Sequence, residues 1–269
     1  MRPILIKIGL AVIILGLATP SSAQLLIERS KVVETLSPGE TLVGEVFLHN
    51  SSPDTPFSVK VYWEDFKYLP PFNGKKEFLP AGSTPGSLAK WANFSPQQFT
   101  LDPKTKQPIN YSIQLPPDAK GGYYGVLFFE RGDMQPSGQI GVNIIFRLGA
   151  LFFIETVNKD KSAEITEVKI AESDILGLFS NLGDIILFPK GIYYILDGDG
   201  LVAERGELEK IYLPAGEKAE FKVSIPEALK AGDYTVVLTF DLDEGDSLVK
   251  EIDFNKAQGG RIEITGLRD

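Results

Sequence analysis

The sequence predicts an all-β protein, two consecutive β-sandwich domains behind an N-terminal targeting segment. Three observations carry that prediction. Apolar and β-branched runs of strand length recur along the chain, punctuated by Pro, Gly, Asn and Asp, with almost no helical periodicity. One turn–strand–turn–strand pattern occurs once in each half. The 269-residue chain has no cysteine, so burial alone must hold it, which suits two domains of ordinary size with substantial cores.

Residues 1–23 read as a signal peptide. Arg2 and Lys7 supply a basic start, Ile8 to Leu17 an apolar run, and Ser21-Ser22-Ala23 small residues before a cut at Gln24. The run is shorter than the roughly 20 apolar residues of a membrane span, and no later stretch is long and apolar enough for one. With no cysteine after it, a thioether lipid anchor is excluded. The expected location is the periplasm or the cell exterior. Loss of Arg2 and Lys7 takes 27 basic residues to 25 against 36 acidic ones, a net charge of −11. So acidic a chain repels phosphate backbones, which argues against a nucleic-acid partner.

In the first half, Lys31 to Leu36 runs into the turn Ser37-Pro38-Gly39-Glu40, and Thr41 to Leu48 alternates up to His49-Asn50. Phe57 to Phe66 places Val59, Val61 and Trp63 on one face. Lys67 to Phe94, rich in Pro and Gly, reads as irregular. Pro103 to Leu115 and Gly122 to Glu130 supply two further strands. The charged patch Asn158-Lys159-Asp160-Lys161 divides a first domain, 24–157, from a second, 158–269. There the strands are Ala163 to Ala171, Ile175 to Leu182, Ile192 to Leu196 and Leu201 to Glu207, with the hairpin turn Asp197-Gly198-Asp199-Gly200. Residues after Gly259 form a short last strand or a loose tail.

The repeat starts at Leu101-Asp102-Pro103 and at Leu213-Pro214-Ala215-Gly216. It passes through Ile113-Gln114-Leu115-Pro116 and Val223-Ser224-Ile225-Pro226, and reaches a Lys-x-Gly corner with Tyr123 and Tyr234. A Tyr there buries its ring while its hydroxyl satisfies a backbone group, as in the tyrosine corner of immunoglobulin-like sandwiches. The motif therefore specifies fold, and the fold class is two consecutive immunoglobulin-like β-sandwiches.

The chemistry-bearing residues are sparse. His49 is the single histidine, so Cys–His and His-cluster chemistry is excluded, and there is no Gly-x-Ser-x-Gly elbow, zincin motif or phosphate-cradling loop. No pair of carboxylates is marked out for acid–base work. Asp197 to Gly200 and Asp241 to Asp246 are acidic hairpin tips without EF-hand spacing, read as solvated turns rather than calcium sites. Asn50, Asn93 and Asn110 head glycosylation sequons. No cofactor and no enzymatic activity are expected.

One strand is longer than the usual five or six residues, roughly. Ile140, Val142, Ile144, Phe146 and Leu148 share one face by period two, continued by Ala150, Phe152 and Ile154. It is either a last strand feeding one core and crossing into the second domain, or an edge whose outer part pairs with a guest strand.

Ile27 to Val33, Trp91 to Pro96 and Arg147 to Phe153 resemble passages of the two-domain periplasmic pilus chaperones (PapD-like). That resemblance implies that the long strand completes an incomplete fibre subunit. It also implies that a subunit's terminal carboxylate is anchored by an Arg on the first strand and a Lys on the long one. Lys31 matches the first in charge, and Gly149 or Ala150 stands where the second is expected. Ser95 to Leu101 through Gly122 to Val126 is also similar to the first domain of WxL-interacting surface proteins, which implies binding to the cell wall or to surface proteins. Both imply a non-enzymatic binder. The expected function is to hold extracytoplasmic or surface proteins through an exposed strand, with Lys31, Ile140, Val142, Ile144, Phe146 and Leu148 as partner-binding residues. The alternative is a structural or cell-wall-binding envelope module, with a wall polymer as partner.

Overall fold

The computed structural model describes residues 24–132 and 145–269. The targeting segment, Ile140, Val142 and Ile144 lie outside the described residues.

The first sandwich contains β1 (Leu25–Ile27), β2 (Lys31–Leu36), β3 (Thr41–Asn50), β4 (Phe57–Tyr68), β5 (Lys76–Pro80), β6 (Ala92–Ser95), β7 (Gln98–Leu101), β8 (Lys106–Gln114), β9 (Gly122–Arg131) and β10 (Phe146–Thr156). One sheet has the order β1-β3-β8-β6. The other has the order β2-β10-β9-β4-β5, with β7 also on β4. The second sandwich contains β11 (Ala163–Ala171), β12 (Asp174–Asn181), β13 (Lys190–Asp197), β14 (Val202–Glu207), β15 (Lys218–Ser224), β16 (Gly232–Asp241), β17 (Ser247–Lys256) and β18 (Ile262–Arg268). Its sheets are β11-β12-β15 and β14-β13-β16-β17-β18. The segment after Gly259 is thus a paired strand, in register from Ile262 opposite Lys256.

Alternation fills the first core as the pattern requires. Val59, Val61 and Trp63 enter it from β4, and Ala150, Phe152 and Ile154 from β10. The second core is built around Phe179, Phe221 and Phe240, with Phe179 and Phe240 ring centroids 4.6 Å apart. It does not stop at the domain seam. Phe66, Tyr68, Phe72 and Phe153 of the first sandwich belong to the same buried cluster.

The stretch from Lys67 to Phe94 is not irregular as the composition suggests. It contains β5 on β4, a 3-10 turn at Leu88–Lys90, and β6 on β8. A buried carboxylate organises it: Asp65 accepts hydrogen bonds from the Thr84 amide at 2.7 Å, the Thr84 hydroxyl at 3.0 Å and the Ser87 hydroxyl at 2.7 Å. Pro and Gly punctuate this segment, but Asp65 folds it back.

The repeat has a second component that sequence spacing does not display. Asn50 ends β3 and Asn181 ends β12, and both are buried. Asn50 Nδ2 donates to the carbonyls of Thr55 and Leu101, and its Oδ1 accepts from the Ser52 amide. Asn181 Nδ2 donates to Ile185 and Leu213, and its Oδ1 accepts from the Gly183 amide. Leu101 and Leu213 are the first residues of the two repeat copies, so each Asn fastens the start of its copy to the end of an earlier strand. Burial and three committed bonds also withdraw Asn50 from its sequon. The tyrosine corner holds in the second domain, where Tyr234 donates to the Lys230 carbonyl at 3.0 Å. In the first it is replaced: the neighbouring Tyr124 hydroxyl accepts from the Ile186 amide across the seam at 2.8 Å.

Asn181→Ala leaves two buried carbonyls and one amide without their partner, which should cost about 2–4 kcal/mol. Urea unfolding of the variant checks this, with the exposed Asn93→Ala as a near-neutral control. A loss as small as that of the control would show that water replaces the side chain.

Candidate functional site

The site begins with an edge. β10 is in antiparallel register with β9 along all but its last residue, from Phe146 opposite Arg131 to Glu155 opposite Gly122. On its other side β2 runs parallel to it only from Lys31 opposite Leu151 to Leu36 opposite Thr156. Phe146 to Ala150 therefore have no strand on that side among the described residues. The Leu151 amide donates to the Ser30 carbonyl. Backbone groups alternate sides along a strand, so those of Gly149 and Arg147 face the open edge.

Side chains tie this half-strand to β9 and β4. Arg147 lies over the Phe128 ring at 4.0 Å and pairs with Glu64 at 3.0 Å. Tyr62 beside it donates to Glu130 at 2.6 Å. Leu148 is half-buried against the first core, and Phe146 is exposed at the open end. Of the described members of the expected one-faced apolar run, Leu148, Ala150, Phe152 and Ile154 thus serve the core, and Phe146 is left to solvent.

Neither candidate position for a cation on β10 can hold one. A Cβ on Gly149 would meet Val126 Cγ2 at 2.8 Å and Phe128 Cε1 at 3.0 Å, and Ala150 is fully buried in the core. Lys31 does reach the cleft between the sandwiches. Its ammonium lies 4.7 Å from the Phe153 ring centroid and 5.2 Å from that of Phe188, a second-domain residue. Lys31 and Phe153 also line a cavity of about 190 Å³ with Lys159, Lys161 and Glu244.

Sequence reasoning missed Lys76, which enters the same cleft from β5. Its ammonium lies 4.7 Å from the Tyr68 ring and 5.9 Å from that of Tyr212. Burial, and then the charge of Lys31, hold its pKa below the usual lysine value. A lysine in a Pro/Gly-rich stretch has no spacing that marks it, so only the fold reveals the pair.

The seam that shapes the cleft is tightly bonded. The Gly122 amide donates to Asp184, the Tyr212 amide to Phe72, and Lys120 pairs with Asp184 at 3.4 Å. On the linker side, Lys159 bridges Glu155 at 2.8 Å and Glu244 at 2.9 Å, and Lys161 reaches Glu244 at 2.7 Å. The acidic tip at 241–246 is thus engaged by lysines. Among the described residues, no group of three or more His, Asp or Glu side chains is placed to hold a metal ion. His49 sits within the β1-β3-β8 ladder, opposite Leu26 and Lys106. No described helix is long and apolar enough to cross a membrane.

No protein-family model matches the sequence, and no curated protein resembles it in sequence. Solved structures do resemble it in fold. A chain of a chaperone–tip adhesin complex of CFA/I fimbriae is 16% identical, with 90% of this chain and 99% of that chain covered and a TM-score of 0.51. The class 5 fimbriae chaperone CfaA is 14% identical, with 84% and 97% covered and a TM-score of 0.52. The fold is that of the two-domain fimbrial chaperones, the first of the two families the sequence resembles.

The lysine bridges at the linker make the seam sensitive to acid. Lys161 and Lys159 hold the Glu244 pKa down at about 2, below its ordinary value of 4.5. A depressed carboxylate stabilises the fold above its unfolded pKa and loses that contribution as pH falls toward the folded one. Between pH 5 and pH 2 the wild type should therefore lose more stability than Glu244→Gln, with the gap shrinking in salt because Glu244 is exposed. Thermal melts at stepped pH check this. Parallel pH profiles for the two proteins would show that the bridges contribute nothing.

Proposed function

We propose that this protein is an exported, non-enzymatic holder of other extracytoplasmic proteins, and that it accepts a strand of its guest along the open side of β10. The observation that carries this reading is the half-paired strand: Phe146 to Ala150 are laddered to β9 and, among the described residues, bare on the other side. Strand addition to such an edge gives main-chain hydrogen bonds, each worth a net of about 0.5–1.5 kcal/mol, and needs no particular guest sequence. Lys31, Phe146 and Leu148 border the edge, and the second sandwich walls one end of it.

The fold likeness supports the same reading, because the two similar structures come from a fimbrial chaperone and from a chaperone–adhesin complex. Residues 1–23, with their signal-peptide features, support export to the periplasm. A protein guest fits better than a wall polymer, since a polysaccharide cannot continue a β-ladder. The division into domains at 157/158 accords with this use, because β10 ends at Thr156 and the linker lysines then fasten the second sandwich to it.

A labelled synthetic peptide of alternating valine and threonine tests the proposal. Its binding should slow hydrogen exchange at the Arg147 and Gly149 amides. Arg147→Pro removes an edge-facing N–H while leaving the β9 ladder intact, and should weaken binding at least about tenfold, roughly 1.4 kcal/mol. Arg147→Ala, which loses only the side chain, should bind within a few-fold of wild type. Equal binding by the proline variant, with its fold verified by circular dichroism, would sink strand addition.

A further inference from the structure

The seam holds a second, larger space. A cavity of about 610 Å³ lies between the sandwiches, walled by Phe66, Leu79 and Tyr124 from the first and by Ile186 and Pro214 from the second. It shares Ile185 and Ile186 with the smaller cavity beside Lys31, and neither Lys31 nor Lys76 lines it. Its size, its position between domains and its apolar walls are those of a small-molecule site. The mouth is preformed. Thr84 on the rim is fixed by its two bonds to Asp65, and the Tyr124 amide donates to the Gly86 carbonyl at 2.7 Å.

Two polar atoms lining this space have unused hydrogen-bonding capacity. Asp184 Oδ2 is buried and, among the described residues, receives no hydrogen bond. The Lys120 ammonium stands 3.4 Å from it without hydrogen-bond geometry, and that side chain is largely exposed, so solvent screens its charge. The other oxygen, Oδ1, is taken by the Asp160 amide at 2.7 Å. The Tyr124 hydroxyl accepts from the Ile186 amide at 2.8 Å and, among the described residues, donates to nothing. Burial pushes its pKa above the usual tyrosine value, so the phenol keeps its proton, and the nearby Asp184 charge acts in the same direction.

A buried acceptor without a donor and a buried donor without an acceptor each cost stability. A group that accepts from Tyr124 and donates to Asp184 relieves both. A carboxylate cannot donate and an ammonium cannot accept, whereas a hydroxyl does both with one atom. The Phe66 and Tyr124 rings, with centroids 6.5 Å apart, offer their faces and edges to an apolar body behind that head.

We propose that the seam cavity binds a small neutral molecule with an apolar body and one hydroxyl head, the head held between Tyr124 and Asp184. The site is separate from the open edge of β10 and goes beyond the strand-holding reading. The probe is 4-propylphenol, with 4-propylanisole, which cannot donate, as its control. By calorimetry wild type should bind the phenol saturably and about tenfold more tightly than the anisole. The NMR signal of the Ile186 amide, which bonds to the Tyr124 oxygen, should shift with the phenol. Ala215→Trp, at the exposed rim, should abolish binding of both probes with the thermal midpoint unchanged. If that midpoint falls, Ser83→Trp on the same exposed rim carries the test. Asp184→Asn can keep the Oδ1 bond to Asp160 and turn an NH2 into the cavity, so the preference for the phenol should fall to near one. No binding of the phenol by wild type up to its solubility, or binding that survives a blocked rim, would overturn the site. Equal affinity for phenol and anisole in wild type, or a preference unchanged in Asp184→Asn, would overturn the hydroxyl head.

Discussion

The site depends on one change of partner near the N-terminus. β1 is paired with β3 in one sheet, and β2, only a few residues later, is paired with β10 in the other. Glu28 is held to the first sheet by its amide bond to the Phe47 carbonyl and by Lys106, while the Ser30 carbonyl already accepts from Leu151 of the second. The chain therefore crosses between sheets over Glu28 to Ser30 and reaches β10 too late to cover its first half. The open edge, the position of Lys31 at its end and the direction in which a guest could run all follow from that crossing.

An edge is useful for selective binding only if its surroundings are fixed. The Lys-x-Gly corner of the first domain serves this purpose as well as the fold. Gly121 has φ of 75°, and a Cβ there would come within 2.5 Å of the Asp184 carbonyl oxygen. Glycine lets the two sandwiches approach closely enough for the Gly122 amide and the Tyr124 hydroxyl to bond to the second domain. The shared cluster of Phe66, Phe153 and Tyr68 then makes the seam a continuation of the second core. Interfaces between domains are commonly polar and permit relative motion, whereas this seam carries an apolar cluster drawn from both sandwiches. Here the cleft is set by packing, with the lysine bridges to Glu244 closing its linker side.

Much of the fold was legible because period-two alternation reports which face a residue takes. Val59, Val61 and Trp63, and Ala150, Phe152 and Ile154, went where their spacing placed them. β5 and β6 were hidden by Pro and Gly, since their pairing depends on Asp65 gathering Thr84 and Ser87 from a distant turn. The corner tyrosine was legible in the second domain, whereas in the first it is Tyr124, one position beyond Tyr123, whose hydroxyl meets the other domain. The site was legible only in part. Lys31 and the long strand stood out by resemblance and by period. Lys76 and the ring of Phe128 that covers Gly149 come from other strands, and adjacency across a sheet leaves no spacing in the sequence.

An unpaired edge is a hazard as well as a device, because it accepts any compatible strand, including that of an identical chain. Three features narrow the choice. The bare segment is short, bounded at Ala150 by the start of β2. Arg147 is tied back to Glu64 and Phe128, away from the backbone groups that a guest would use. Lys31, the first residue of β2, stands where the bare segment ends, with its ammonium drawn toward the Phe153 and Phe188 rings. A strand added to the edge would also have to leave it at Leu151, where β2 begins. The strand crossing that creates the edge thus also limits what can stay on it.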